Sequence, residues 1–175
     1  MAEGSGLGTV ERLGVDVGGP IMASPNELFF SDRYLEVPLV PGVVASLTRL
    51  RARFAGHIYL ISTNIRRRPQ ALEILEKHRI LDLVGRDHVL MCETDAAKAG
   101  ACREIGISHF VDDRIEVLDL MTTVARRYLF SGARAAGDDR PLPANTLLVA
   151  SWSAIERDLL PLSDGAGRLG AQGGT

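Results

Sequence analysis

Apolar residues in this chain fall into two alternating rhythms. Short unbroken runs rich in Val, Ile, Leu and aromatic residues read as strands covered on both faces. They are "LGVDV" (13–17), "HIYLIS" (57–62), "HVLMC" (88–92), "SHFVDD" (108–113), "YLF" (128–130) and "TLLVA" (146–150). Between them apolar residues recur at helical spacing. "PGVVASLTRLRARF" (41–54) places Val43, Val44, Leu47, Leu50 and Phe54 in this way, with Pro41 as a natural start. "PQALEILEKHRI" (69–80) aligns Leu72, Leu75 and Arg79 and predicts a second helix. "TDAAKAGACREIG" (94–106) predicts a helix capped by Thr94 and stopped by Gly106. "IEVLDLMTTVAR" (115–126) and "SAIERDLL" (153–160) predict two more.

Strands alternating with helices of this length predict an α/β fold, a three-layer Rossmann-like sandwich around a mainly parallel sheet. The predicted domain spans residues 10–162. The small, Gly-rich segments 1–9 and 163–175 read as disordered ends, and 131–145 as a surface loop. No internal repeat is present.

Composition narrows the class. The 175 residues suffice for one domain with a real core. A net charge of −2 argues against general nucleic-acid affinity. Two cysteines, Cys92 and Cys102, without a C-x-x-C are too few for a disulfide scaffold. No signal peptide or membrane-spanning run is evident, so a cytoplasmic protein with no membrane partner is expected.

In parallel α/β sheets ligands bind at the carboxyl ends of the strands. The polar residues there are Asp16 after the first strand, Ser62, Thr63 and Asn64 after the second, and Asp112 and Asp113 after "HFV". Lys98 lies in the helix just before that last strand. Three close carboxylates need positive charge among them. Lys98 supplies one unit, and a hard divalent cation, most naturally Mg²⁺, supplies the rest.

In this order, the strand ending on Asp16 in "GVDVGG", the hydroxyls of "IYLISTN", the lysine of "AAKAGACREIG" and the acid pair of "HFVDDR" resemble the four motifs of the haloacid dehalogenase (HAD) superfamily. The resemblance spans roughly residues 12–160 and points to a compact, phosphatase-like subgroup. It implies a phosphoryl-transfer site in which Asp16 attacks phosphorus and becomes an aspartyl phosphate. Ser62 or Thr63 would bond a phosphoryl oxygen, with Asn64 beside them in the phosphate-binding loop. Lys98 would neutralise nucleophile and phosphate. The metal would be held by Asp16, the Gly18 carbonyl, Asp112 and Asp113, the last directly or through water. The partner implied is a phosphorylated substrate, small molecule or macromolecule.

Gly18 departs from the pattern, which usually has an aspartate there as general acid and base. Such help is worth about 10²–10⁴-fold. Three readings follow. The leaving group needs no acid; a group from the loop "MASPNELFFSDRYLEV" (22–37) or from the substrate stands in; or the chain binds a phosphorylated ligand and turns it over weakly or not at all. The dehalogenase branch fits less well, because its site needs no metal. A receiver-like signalling domain also gathers acids and a lysine, but in the opposite order.

The gaps between motifs are too short for a large cap. "ELFFSDRYLEV" (27–37) has room for a small flap or hairpin. An open site suggests a bulky substrate or closure by another subunit, so an oligomer is allowed. Phe29, Phe30 and Tyr34 either line the entrance or pack on the core. Arg66, Arg67 and Arg68 either bind an anionic substrate or form a solvated helix start. Arg114 either reaches phosphate or pairs with one of the two acids. His57, His78, His88 and His109 lack a metal-ligand spacing; His57, His88 and His109, each at the start of a predicted strand, are expected to be structural, like Trp152.

Overall fold

The computed structural model describes residues 10–23, 26–63, 65–130 and 140–160. In chain order its regular elements are β1 (Leu13–Val15), α1 (Asn26–Phe29), α2 (Val43–Arg53), β2 (Ile58–Ser62), α3 (Arg68–Lys77) and α4 (Ile80–Val84). They continue with β3 (Val89–Met91), α5 (Asp95–Ile105), β4 (His109–Asp112), α6 (Ile115–Leu120), β5 (Arg126–Phe130), β6 (Thr146–Val149) and α7 (Trp152–Leu159). The segments predicted to be disordered, 1–9 and 163–175, and most of the 131–145 loop lie outside the described residues.

The six strands form one sheet in the order β3-β2-β1-β4-β5-β6, every pair parallel. Helices cover both faces. On one side Leu47 and Leu50 of α2, Leu72 and Leu75 of α3 and Trp152 and Ile155 of α7 pack with Leu13, Val15 and Leu60. On the other, Cys102 of α5 and Val117 and Leu118 of α6 pack with Phe110 and Leu129. The three-layer, Rossmann-like α/β architecture is therefore present, without a large cap among the described residues. No helix among them is long and apolar enough to cross a membrane.

Strand order reverses beside β1. The chain runs outward through β2 and β3, then returns to place β4 on the other flank of β1. Such a switch point opens a crevice at the strand carboxyl ends. Val15 pairs with Val111, and the Asp16 amide donates to the Val111 carbonyl at 2.9 Å. That register sets Asp16 beside Asp112.

Two helices differ from the periodicity. The helix expected over 69–80 ends at Lys77, because Arg79 adopts a left-handed conformation (φ 59°) that starts α4 at Ile80. The helix expected over 115–126 stops at Leu120, and Arg126 already belongs to β5. Segment 27–37 holds the α1 turn and a single 3-10 turn at Tyr34–Glu36, not a hairpin.

Candidate active site

Asp16, Lys98 and Asp112 form the centre of the crevice. Thr94 caps α5, its hydroxyl accepting from the Ala97 amide at 3.1 Å, and Gly106 ends it at φ 77°. So anchored, α5 carries Lys98 under the rim of the sheet, where the residue is fully buried. Its Nζ donates to Asp16 Oδ1 and to Asp112 Oδ2, each at 2.6 Å. The ammonium also lies 5.1 Å from the centre of the Phe110 ring. Phe110 fits there because residue 14 is glycine: a Cβ at Gly14 would overlap the ring. A small residue in β1 thus makes room for the apolar floor beneath the ammonium.

Burial alone would push the Lys98 pKa down, yet the Asp16 and Asp112 carboxylates raise it, so the side chain is an ammonium. Asp112 is wholly enclosed. Besides Lys98 it receives the Arg114 amide, on Oδ1 at 2.9 Å. Burial, followed by the nearby Asp16 charge, moves its carboxyl upward. Asp113 lines the cavity and is likewise raised to about 6, by burial first and Asp16 second. Oxygens of Asp16, Asp112 and Asp113 all lie within 4.8 Å of one another. One ammonium against three crowded carboxylates leaves negative charge over, and an oxygen-only donor set of this kind suits a hard divalent cation.

Gly19 seats Asp113. It has φ 87°, and a Cβ on it would overlap the Asp113 carboxyl. Glycine is needed there on both counts. Position 18 is different: a Cβ at Gly18 would meet only Asp16 Oδ2, at an ordinary 3.7 Å. The loop holding both glycines is closed by the Met22 amide on the Val17 carbonyl (2.9 Å) and the Gly19 amide on the Met22 carbonyl (3.1 Å). Trp152 braces it from behind, its indole donating to the Pro20 carbonyl at 2.7 Å. Trp152 therefore packs, as expected, and also supports the loop.

The cavity has a volume of about 360 Å³. Ser62 and Thr63, at the end of β2, both line it, as does Gly18. Asn64 lies outside the described residues. Phe29 lines the wall, while Phe30 stands 48% exposed with the Arg67 guanidinium 5.3 Å from its ring. Tyr34 packs on the core, and its hydroxyl bonds Glu73. Arg66 and Arg68 are exposed and do not line the cavity.

Arg114 lines the cavity but pairs with neither acid of the "DD". Its guanidinium forms a two-pronged ion pair with Asp95 at 2.5 and 3.1 Å. Spacing gave no sign of this, since 19 residues separate the partners. Among the histidines, His88 Nδ1 meets the Ile58 carbonyl at 3.0 Å and His109 packs edge-on against Phe54. Both belong to the opposite end of the sheet.

No protein-family model matches the chain, and no curated protein matches it. Among solved structures, a dehalogenase superposes with a TM-score of 0.54 at 13% identity, covering 87% of this chain and 98% of that one. A de novo designed Rossmann 3x3 fold gives a TM-score of 0.43 at 11% identity, covering 89% and 99%. The first likeness supports the Rossmann-like α/β fold, which the chain shares with that dehalogenase. At this identity it defines the fold alone.

Proposed function

We propose that this chain is a Mg²⁺-dependent phosphohydrolase, acting on a phosphate monoester or related phosphoryl compound through an aspartyl phosphate on Asp16. The observation that carries the reading is the surplus of negative charge at the crevice, three carboxylates around one buried ammonium. Asp16, Asp113 and the Gly18 carbonyl would hold the cation on the cavity side, with Asp112 behind them. The cation would supply charge neutralisation for an incoming phosphate.

The remaining roles follow from the chain itself. Lys98 fixes Asp16 through Oδ1, and no described residue bonds Oδ2, which faces the open space at Gly18. Oδ2 is the atom suited to attack. Ser62 and Thr63, which line the same cavity, would offer hydroxyls to the phosphoryl oxygens. Asp112 acts as a positioning residue, anchoring Lys98 and the Arg114 backbone. A dehalogenase reaction is less well matched, because it has no use for the excess acid charge.

A second reading has its own support. Besides Asp16 and Asp113, no carboxyl among the described residues lines the cavity, so nothing there replaces the acid absent at position 18. Among the described residues of the 22–37 segment, only Met22 and Phe29 line the cavity. The alternative is a HAD-fold protein that binds a phosphorylated ligand or partner with little or no turnover. Turnover of p-nitrophenyl phosphate with and without Mg²⁺, in wild type and Asp16→Asn, separates the two. Mg²⁺-dependent release abolished by the substitution supports the enzyme. Phosphate binding with no Asp16-dependent release from aryl, acyl or sugar phosphates supports the binder.

A further inference from the structure

The cavity has an unusual balance of charged side chains. Among the described residues it is lined by two acids, Asp16 and Asp113, and by one base, Arg114; its other polar side chains are the hydroxyls of Ser62 and Thr63. In the reading above, Asp16 is the nucleophile and Asp113, as a cation ligand, is held as a carboxylate. Among the described lining residues no carboxyl is then left to protonate a departing oxygen. A guanidinium is left, and a guanidinium stabilises an oxygen anion without giving up a proton.

The setting of Arg114 suits that task. Its root is fixed, because its amide donates to the buried Asp112 at 2.9 Å. Its head rests on Asp95 in a pair whose side chains are 43% and 32% exposed. An ion pair this accessible to water is weakly held and exchanges readily. The side chain is thus anchored beside the nucleophile at one end and releasable at the other.

From this geometry we propose that the site is fitted to phosphoryl compounds whose leaving group departs as an anion, such as acyl or aryl phosphates and phosphoanhydrides, with Arg114 as the counter-charge. The proposal rests on the phosphohydrolase reading. In the first step Asp16 Oδ2 forms a bond to phosphorus, and the bond from phosphorus to the leaving oxygen breaks. The electron pair stays on that oxygen, which leaves unprotonated against the Arg114 guanidinium. In the second step water attacks phosphorus, the aspartyl phosphate breaks down to Asp16 and inorganic phosphate, and a proton passes to solvent. Simple alkyl phosphates, whose alkoxides are poor anions, are excluded by the same logic.

The test is a leaving-group series. Phenyl phosphates carrying substituents that range the phenol from strongly to weakly acidic are assayed as kcat/KM, which reports the step that breaks the ester bond. Wild type, Arg114→Ala, Arg114→Lys and Asp95→Asn are compared in Mg²⁺, with their thermal melts alongside. Wild type is expected to slow steeply as the phenol weakens. Arg114→Ala should steepen the slope further, losing little on the best leaving groups and about 10²-fold on the worst. Arg114→Lys should recover part of that loss, and Asp95→Asn should leave the slope as in wild type. A purely structural role for Arg114 would lower every substrate equally. A flat wild-type slope, or one unchanged by Arg114→Ala, overturns the proposal while Asp16-dependent turnover still supports the phosphohydrolase reading. Absence of Asp16-dependent phosphate release from every member overturns that reading and this proposal with it.

Discussion

Two clusters in this molecule draw on the same residue types and come out oppositely. On α7, Asp158 accepts two bonds from the Arg126 guanidinium, at 3.1 and 2.8 Å, and one from the Tyr128 hydroxyl at 2.7 Å. The Arg126 bonds hold its carboxyl below the usual range despite some burial. At the crevice, burial and the Asp16 charge raise Asp112 and Asp113, although Lys98 sits among them. The first cluster is complete with one cation per acid. In the second, three carboxylates share one ammonium, a surplus that the proposed cation would balance. Charged side chains alone do not mark a functional site; unbalanced ones held out of water do.

The sharpest way to break this contrast is to remove each cluster's own cation. Lys98→Ala strips the buried centre and strands two enclosed carboxylates. It should cost about 3–5 kcal/mol by urea denaturation. Arg126→Ala breaks a partly exposed pair and should cost about 1 kcal/mol or less. Equal losses would mean that the two clusters are alike.

A smaller effect comes from the adjacent glycines. Gly19→Ala forces a side chain into a left-handed backbone position and onto the Asp113 carboxyl. A loss of about 1–3 kcal/mol is expected, together with weaker divalent-cation binding by calorimetry. Gly18→Ala meets only ordinary contact and should stay within about 0.5 kcal/mol of wild type. If the two behave alike, Gly19 is not the seat of Asp113.

A further effect has the opposite sign. Asp113→Asn removes a charge that the metal-free fold tolerates poorly. It should stabilise that form at neutral pH by on the order of 1–3 kcal/mol, because burial and the Asp16 charge raise the Asp113 carboxyl to about 6. A destabilised variant would indicate a carboxylate already compensated.

The sequence carried much of this, for local reasons. Unbroken apolar runs marked all six strands, and the residues after them are the ones the register brings together at Asp16 and Asp112. Thr94 and Gly106 bounded α5 because capping chemistry is written in single residues. What stayed hidden depends on distant or backbone partners. Arg79 turns left-handed without the glycine that usually signals it. Gly18 drew attention as an anomaly, while its neighbour Gly19 makes the close contact, visible only once Asp113 is placed against it. The Trp152–Pro20 bond spans 132 residues, and Arg114 chose Asp95 over the acids beside it. Phe29 and Phe30 divided between wall and solvent, which adjacency in sequence could not foretell.

The central claim, that the crevice carries uncompensated carboxylate charge meant for a divalent cation, is tested most directly by melting wild type and Asp113→Asn from pH 4 to pH 7, with and without Mg²⁺. The Asp113 carboxyl, raised in the fold from 3.8 to about 6, binds its proton more tightly when folded than when unfolded. Its contribution to stability is therefore full below 3.8 and is lost as pH rises through about 6. Without metal, wild type should fall progressively below Asp113→Asn over that window. With Mg²⁺ at pH 7, wild type should regain its melting temperature while Asp113→Asn gains little. A gap between the two that does not change with pH, together with no response of wild type to Mg²⁺, would contradict the account.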